Sequence, residues 1–135
     1  MKFVTGTYSL RSAVDQSRFP RMEFFDFLVE VSNDFPGATL LGGNLVVFDY
    51  EVPLGGRAGQ NVRIGLMHMP DWPLSCPPGP HVSPRIGHPD GNVHDSPLGQ
   101  DWEYWSRPFP NWADSSRTFR EYMAHIRALF MRFAP

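Results

Sequence analysis

One cysteine, Cys76, is all the thiol chemistry that the 135 residues offer. A lone cysteine excludes an internal disulfide and any zinc site built on several thiolates. Long apolar runs are also missing. The longest mostly apolar stretch, Ala38 to Phe48, is far too short for a bilayer-crossing helix, so no membrane partner is expected. Charge of one sign is scarce as well. The net charge is −2, the isoelectric point is near 6.2, and Lys and Arg gather in no stripe. That balance gives no electrostatic case for nucleic acid. Residues Met1 to Leu10 hold one Lys and no apolar run long enough for the core of a signal peptide, so a cytoplasmic location is the plain expectation.

What is present is globular. Apolar residues make up 41% and charged residues 19%, a composition that buries a core and does not stay disordered. No repeat and no low-complexity linker divides the chain, and residues 1–135 read as one domain. Leu10 to Gln16 predicts a helical turn. A stronger helix follows Pro20, a residue suited to a first helical turn. Met22, Phe25, Leu28 and Val29 recur there at helical spacing, and Asn33, Asp34, Pro36 and Gly37 close it. Phe24 and Phe27 lie off that stripe, marking a second contact or a broader core face.

The period then changes from helix to strand. Ala38–Leu41 reads as a short strand. In Asn44–Val52, Val46, Phe48, Tyr50 and Val52 share a face opposite Asp49 and Glu51. After the glycine-rich turn Pro53–Gly59, the stretch Asn61–Met69 alternates again through Val62, Ile64 and Leu66. Short connections make these an antiparallel meander. Residues Pro70 to Pro110 hold ten of the 14 prolines, so most of that stretch is expected to be irregular and held by side-chain packing. Only Pro80–Ile86 reads as a fourth, edge-type strand. A final helix, capped at Asp114, Ser115 or Ser116, carries the stripe Phe119, Met123, Ile126, Phe130 and Phe133. The class is α+β, with helices packed on one sheet face.

The middle of the chain resembles the ubiquitin-conjugating (UBC, or E2) enzyme family. In that family a strand is followed by an Asp-Tyr-Pro-like tripeptide, Pro-Pro, a fourth strand and His-Pro-Asn. Here Asp71-Trp72-Pro73, Pro77-Pro78 and His88-Pro89-Asp90 occur in that order. Trp102 to Arg107 is similar to the Trp-Ser-Arg segment of bacterial E2-like groups, whose operons also encode ubiquitin-like proteins, E1-like enzymes and metallopeptidases. The resemblance implies a UBC (E2)-like fold: N-terminal helix, four-stranded antiparallel meander, long Pro-rich active-site-like segment and C-terminal helix. It also implies a site at His88, Pro89 and Asp90, with the His bracing the loop.

Two departures from the family pattern concern the chemistry. The nucleophilic cysteine should follow His-Pro-Asn, yet Gly91 to Gly99 has none, and His94 stands nearest its place. No other side chain replaces a thiolate near neutral pH without strong activation. The Asn whose amide is associated with stabilising the oxyanion is Asp90, a carboxylate that repels the developing negative charge. The site is expected to be catalytically inactive. Two other nucleophiles remain as alternatives: Cys76, otherwise a small hydrophobe in the Pro-rich turn, and Ser96, with His94 or Asp95 as base. His81, His88, His94, Asp90 and Asp95 suggest metal ligands, but zinc requires three or four converging ones, and neither a metal nor a cofactor is expected.

The resemblance therefore implies a pseudoenzyme of a bacterial ubiquitin-like conjugation pathway, with an antiphage role plausible for such pathways. It would form a hetero-oligomer with a ubiquitin-like protein, or with an E1-like or E1–E2 fusion enzyme. Candidate contact residues on the outer sheet face are Val47, Arg63, Met67 and Met69, the thioethers suiting an adaptable interface. Of the aromatics after Gly99, Trp102 and Trp105 are expected to lock the Pro-rich segment onto the sheet. Phe109 and Trp112 are open to a partner.

Overall fold

Alternating apolar residues set two seven-residue strands side by side in the middle of the sheet. In the computed structural model, which describes residues 7–9, 23–42 and 44–135, β3 (Leu45–Glu51) and β4 (Asn61–Met67) pair antiparallel. Their register sets Val46 against Leu66, Phe48 against Ile64 and Tyr50 against Val62. β1 (Thr7–Ser9) and β2 (Thr39–Leu41) extend the sheet on one side. β5 (His81–Ser83), β7 (Gly99–Trp105) and β6 (Val93–Ser96) extend it on the other. The order is β1-β2-β3-β4-β5-β7-β6, antiparallel throughout.

The expected α+β class holds, but among the described residues the sheet has seven strands instead of four. β2 to β5 follow one another as the expected meander, and the additions lie at both flanks. β5 is no edge, since β7 pairs along its other side. The Pro-rich stretch accommodates this hairpin because its prolines fall outside the ladders. Pro80 and Pro84 flank β5, and Pro97 sits in the β6–β7 turn.

One face of the sheet is the core. Val46, Phe48, Ile64, Leu66, Val82 and Trp105 meet α1 (Glu23–Asp34) through Phe27, Leu28 and Val31. They meet α2 (Phe119–Met131) through Phe119, Tyr122, Ile126 and Phe130. Phe27 is fully buried, so it widens the core stripe, whereas Val29, placed on that stripe by its spacing, is 37% exposed. The turn expected over Leu10–Gln16, the Pro20 helix start, and the side chains of Met22, Phe24 and Phe25 lie outside the described residues.

α2 starts later than its first hydroxyls suggest. Trp112–Asp114 forms a 3-10 turn, and the cap is Thr118, whose Oγ1 accepts from the Glu121 amide at 3.1 Å. Ser115 serves the preceding turn instead, donating to Trp112 O. Phe133 lies beyond the helix end yet remains buried.

A single carboxylate joins the three parts of the core. Glu30 of α1 accepts from Trp72 Nε1 at 3.2 Å through one oxygen and from the Phe119 amide at 2.8 Å through the other. It thereby also satisfies a backbone donor at the start of α2, where no helical partner exists. Around it the rings of Phe27 and Trp72 meet edge-on, with centroids 4.8 Å apart.

Candidate functional site

The His88-Pro89-Asp90 turn is held from three directions. Its approach is fixed by Glu103, which the alternation of β7 turns toward the core. One oxygen of this buried carboxylate accepts from Ile86 N at 3.0 Å, Gly87 N at 2.8 Å and Trp105 Nε1 at 2.9 Å. His88 itself is buried. Its Nδ1 accepts from Asp90 N at 3.1 Å, which leaves Nε2–H to donate to Leu129 O of α2 at 2.9 Å. Arg107 Nη2 also points at that Nδ1, 3.3 Å away, and donates to Gly91 O. Burial pushes the imidazole below its ordinary value, with Arg107 adding to the effect, so the neutral ring is the working form.

Asp90 faces the other way, to solvent and to Arg132. The guanidinium donates to both carboxylate oxygens, Nε at 2.8 Å and Nη2 at 3.2 Å, and holds the acid below the usual carboxylate range. Position 90 therefore presents an ionised, already paired carboxylate with no proton to give. An oxyanion forming beside it would meet an acceptor where a donor is needed. What the turn does is mechanical: it ties the segment before β6 to the C-terminal end of α2.

Cys76 belongs to a different place. It is half-buried in an apolar groove of about 340 Å³, with Leu74, Pro77, Pro108, Phe109 and Trp112 among its walls. Burial pushes the thiol up to about 11, against a weaker downward pull from a backbone hydrogen bond with Phe109. At neutral pH it is a thiol and a poor nucleophile. Trp112 is buried, and its Nε1 donates to Pro73 O at 2.9 Å, pinning one wall of the groove to the other. Phe109 is half-buried, while Leu74 is 62% exposed at the rim.

Ser96 finds a histidine, but not the expected one. Its hydroxyl lies 2.8 Å from Nδ1 of His81, which is buried and pushed below its ordinary value by desolvation. Ser96 Oγ also accepts from Leu98 N at 3.1 Å. His94 is exposed and turns to Asn92, and Asp95 pairs with Arg85 at 3.1 Å. The expected bases are engaged elsewhere, His94 with Asn92 and Asp95 with Arg85, and the group that meets Ser96 is His81 of β5.

The five residues considered as metal ligands disperse in the same way. His88 turns into the core toward α2, His81 lies on the outer face, and Asp90 is taken by Arg132. Among the described residues, no group of three or more His, Cys, Asp or Glu is placed to hold a metal ion. None of the described helices is long and apolar enough to cross a membrane.

The outer-face candidates share one surface, because the β3–β4 register sets Val47 against Gly65, Asp49 against Arg63 and Leu45 against Met67. Val47 is nevertheless buried, Met67 and Met69 are half-buried, and Arg63 is exposed. Met69 lies past the end of β4. Trp102 and Trp105 are buried on opposite faces of β7, which is itself a strand of the sheet, held by its ladders to β5 and β6 and not by the rings alone.

Glu30, Glu103 and Arg132 were not singled out by the sequence. Glu103 alone left a signal, a carboxylate at an inward position between Trp102 and Trp105. Compared with family models, with curated proteins and with solved structures, the chain matches none.

Proposed function

We propose that this chain is a catalytically inactive E2-like protein of a bacterial ubiquitin-like conjugation pathway, acting in the cytoplasm and binding without covalent chemistry. Its partner is a ubiquitin-like protein, or the E1-like or E1–E2 enzyme that activates one. The observation that carries this reading is the His88-Pro89-Asp90 turn, kept as a brace with no thiol beside it. The only cysteine sits in a separate groove with its pKa near 11. The β2–β5 meander, with helices on one face, supports the same reading. For docking, the groove edge at Leu74 and Phe109 offers more accessible apolar surface than Val47 does.

The test is co-purification with a ubiquitin-like protein and an E1-like enzyme encoded beside it, with ATP, read by intact mass without reductant. A stable complex of unmodified mass is expected, and Leu74→Asp should weaken it by about tenfold or more. A mass gain of one ubiquitin-like unit would overturn the inactive reading.

One contact favours a second reading. Ser96 at 2.8 Å from a neutral His81 is a hydroxyl beside an available base, the arrangement an acyl acceptor needs. On that reading the mass gain would be lost in Ser96→Ala and retained in Cys76→Ser.

A further inference from the structure

On the outer face of the sheet, the register sets His81 of β5 against Tyr104 of β7, and Tyr104 against His94 of β6. In strand order β7 separates β6 from β5, so a regular ladder would leave Ser96 of β6 a full strand away from His81. Instead the register breaks at Asp95 and Ser96, a bulge of the kind that re-aims a side chain, and Gly99 turns the chain at φ 137°. The hairpin end folds back over the sheet, far enough that Leu98 Cδ1 stands 2.8 Å from the point where a β-carbon at Gly65 of β4 would lie. That fold-back is what brings the Ser96 hydroxyl to 2.8 Å from His81 Nδ1.

Both partners of that hydrogen bond are held in a reactive form. His81 is buried against the Tyr104 ring, with centroids 4.7 Å apart and planes 32° apart, which restrains the imidazole plane. Desolvation keeps the imidazole neutral. With the proton on Nε2, Nδ1 offers a lone pair to the Ser96 hydroxyl. On the other side of Ser96 Oγ, the Leu98 amide donates to the oxygen at 3.1 Å. A donor there favours the charge that builds on the oxygen as its proton leaves. Ser96 is only half-buried, so a substrate can reach it while its base stays shielded. Beside the pair, Leu98 and the Trp102 ring, 3.6 Å from the same Gly65 point, form a narrow apolar flank. Ser96, His81, Tyr104, Leu98 and Trp102 all stand outside the core cluster, so core packing does not account for their arrangement.

We propose that Ser96 and His81 form a nucleophile–base dyad that cleaves small carboxylic esters, with a short acyl chain lying on the flank made by Leu98 and Trp102. Ser96 Oγ attacks the ester carbonyl carbon while its proton passes to His81 Nδ1. The negative charge moves to the carbonyl oxygen, toward which the Leu98 amide donates. The bond from that carbon to the leaving oxygen then breaks, and His81 gives its proton to the departing alcohol. Water repeats the sequence on the acyl-serine. Its oxygen bonds to the carbonyl carbon, its proton passes through Nδ1 to Oγ, and the carboxylic acid leaves. Tyr104 is a positioning residue that acts through the imidazole plane. The flank is two side chains wide, which suits a short acyl chain. No thiol, ATP or activating enzyme takes part. The dyad deepens the second reading of Ser96, from acceptor of a ubiquitin-like unit to a site with turnover of its own. It leaves the missing thioester chemistry beside His88-Pro89-Asp90 as it stands.

The purified full chain, with no partner added, tests the dyad against a fluorophosphonate as covalent probe and p-nitrophenyl acetate as substrate. A single phosphonyl adduct is expected by intact mass, mapped to Ser96 by tandem mass spectrometry. Release of p-nitrophenolate should fall to the level of the unfolded chain in Ser96→Ala, and by about a hundredfold or more in His81→Gln. A further variant guards against simple misfolding. Ser96→Cys keeps the size of the side chain and sets a thiol on the same base. Iodoacetamide at pH 7 should alkylate position 96 of that variant at least about tenfold faster than Cys76, and the advantage should vanish when His81→Gln is added. No adduct, an adduct on another residue, or ester cleavage and alkylation that His81→Gln leaves unchanged would each overturn the dyad. Such a failure leaves the inactive E2-like reading intact, because that reading is judged on the unmodified mass of the complex.

Discussion

At the residue scale, the features that bear on chemistry are an inert thiol and an ionised carboxylate already paired with Arg132. Cys76 with its pKa near 11 is ionised to only about one part in a thousand at pH 8. Its alkylation by iodoacetamide should run well over tenfold slower than that of glutathione at pH 8, and should still be climbing at pH 10. A rate that levels off below pH 9 would contradict the burial. Asp90 owes its lowered pKa first to the Arg132 hydrogen bond. In Arg132→Ala the Asp90 titration, followed by carboxyl carbon NMR, should move upward toward the ordinary aspartate value. Asp90→Asn supplies an amide donor but no nucleophile, so under the proposed function no adduct should appear from that change alone.

At the element scale, two carboxylates, the buried Glu103 and the half-buried Glu30, decide how segments are joined. Glu103→Ala leaves two backbone amides and an indole N–H without their acceptor, and should cost about 3 kcal/mol in urea unfolding. Glu30→Ala removes the common acceptor of Trp72 and Phe119 and should cost about 1–3 kcal/mol. Gly79 marks a third junction. Its φ is 155°, and an added β-carbon would fall 2.0 Å from Trp105 O, so Gly79→Ala has to move backbone and should be more damaging than Gly65→Ala. The elements themselves differed in how readable they were. β3, β4 and α2 announce their faces because apolar residues repeat at the period of the structure. β6 does not: Val93, His94, Asp95 and Ser96 carry no apolar alternation, and prolines on either side disguise a hairpin as loop. The His-Pro-Asp turn was legible as a tripeptide. Its partners were not, because Arg132 lies 42 residues from Asp90, and the His81–Ser96 contact depends on a fold-back that no local pattern encodes.

For the whole molecule, histidine burial sets the pH response. His68, His81, His88 and His125 are all pushed below the ordinary value of 6.5, each chiefly by desolvation. The unfolded chain therefore takes up protons first as pH falls through about 6.5, while the folded chain resists. Stability is complete above that value and is lost on the way down to the folded-state pKa values. Asp90 acts in a separate, lower window. Its contribution is present above about pH 4 and disappears only as the pH falls through its depressed folded value. The urea midpoint should accordingly be lower at pH 5.5 than at pH 7.5. A midpoint that held or rose between those values would contradict the burial of these four rings.

The double grip of Glu30 also governs how the protein is born. Its second donor, the Phe119 amide, is 89 residues downstream, and α2, which covers Phe48 and Phe130's neighbours in the core, begins there. At translation rates of about 5–20 residues per second, roughly 4 to 18 seconds pass on the ribosome between the two. In the later part of that interval the emerging meander carries Phe48, Ile64 and Leu66 without the helix that shields them. A chain released before α2 is complete would leave that apolar sheet face uncovered.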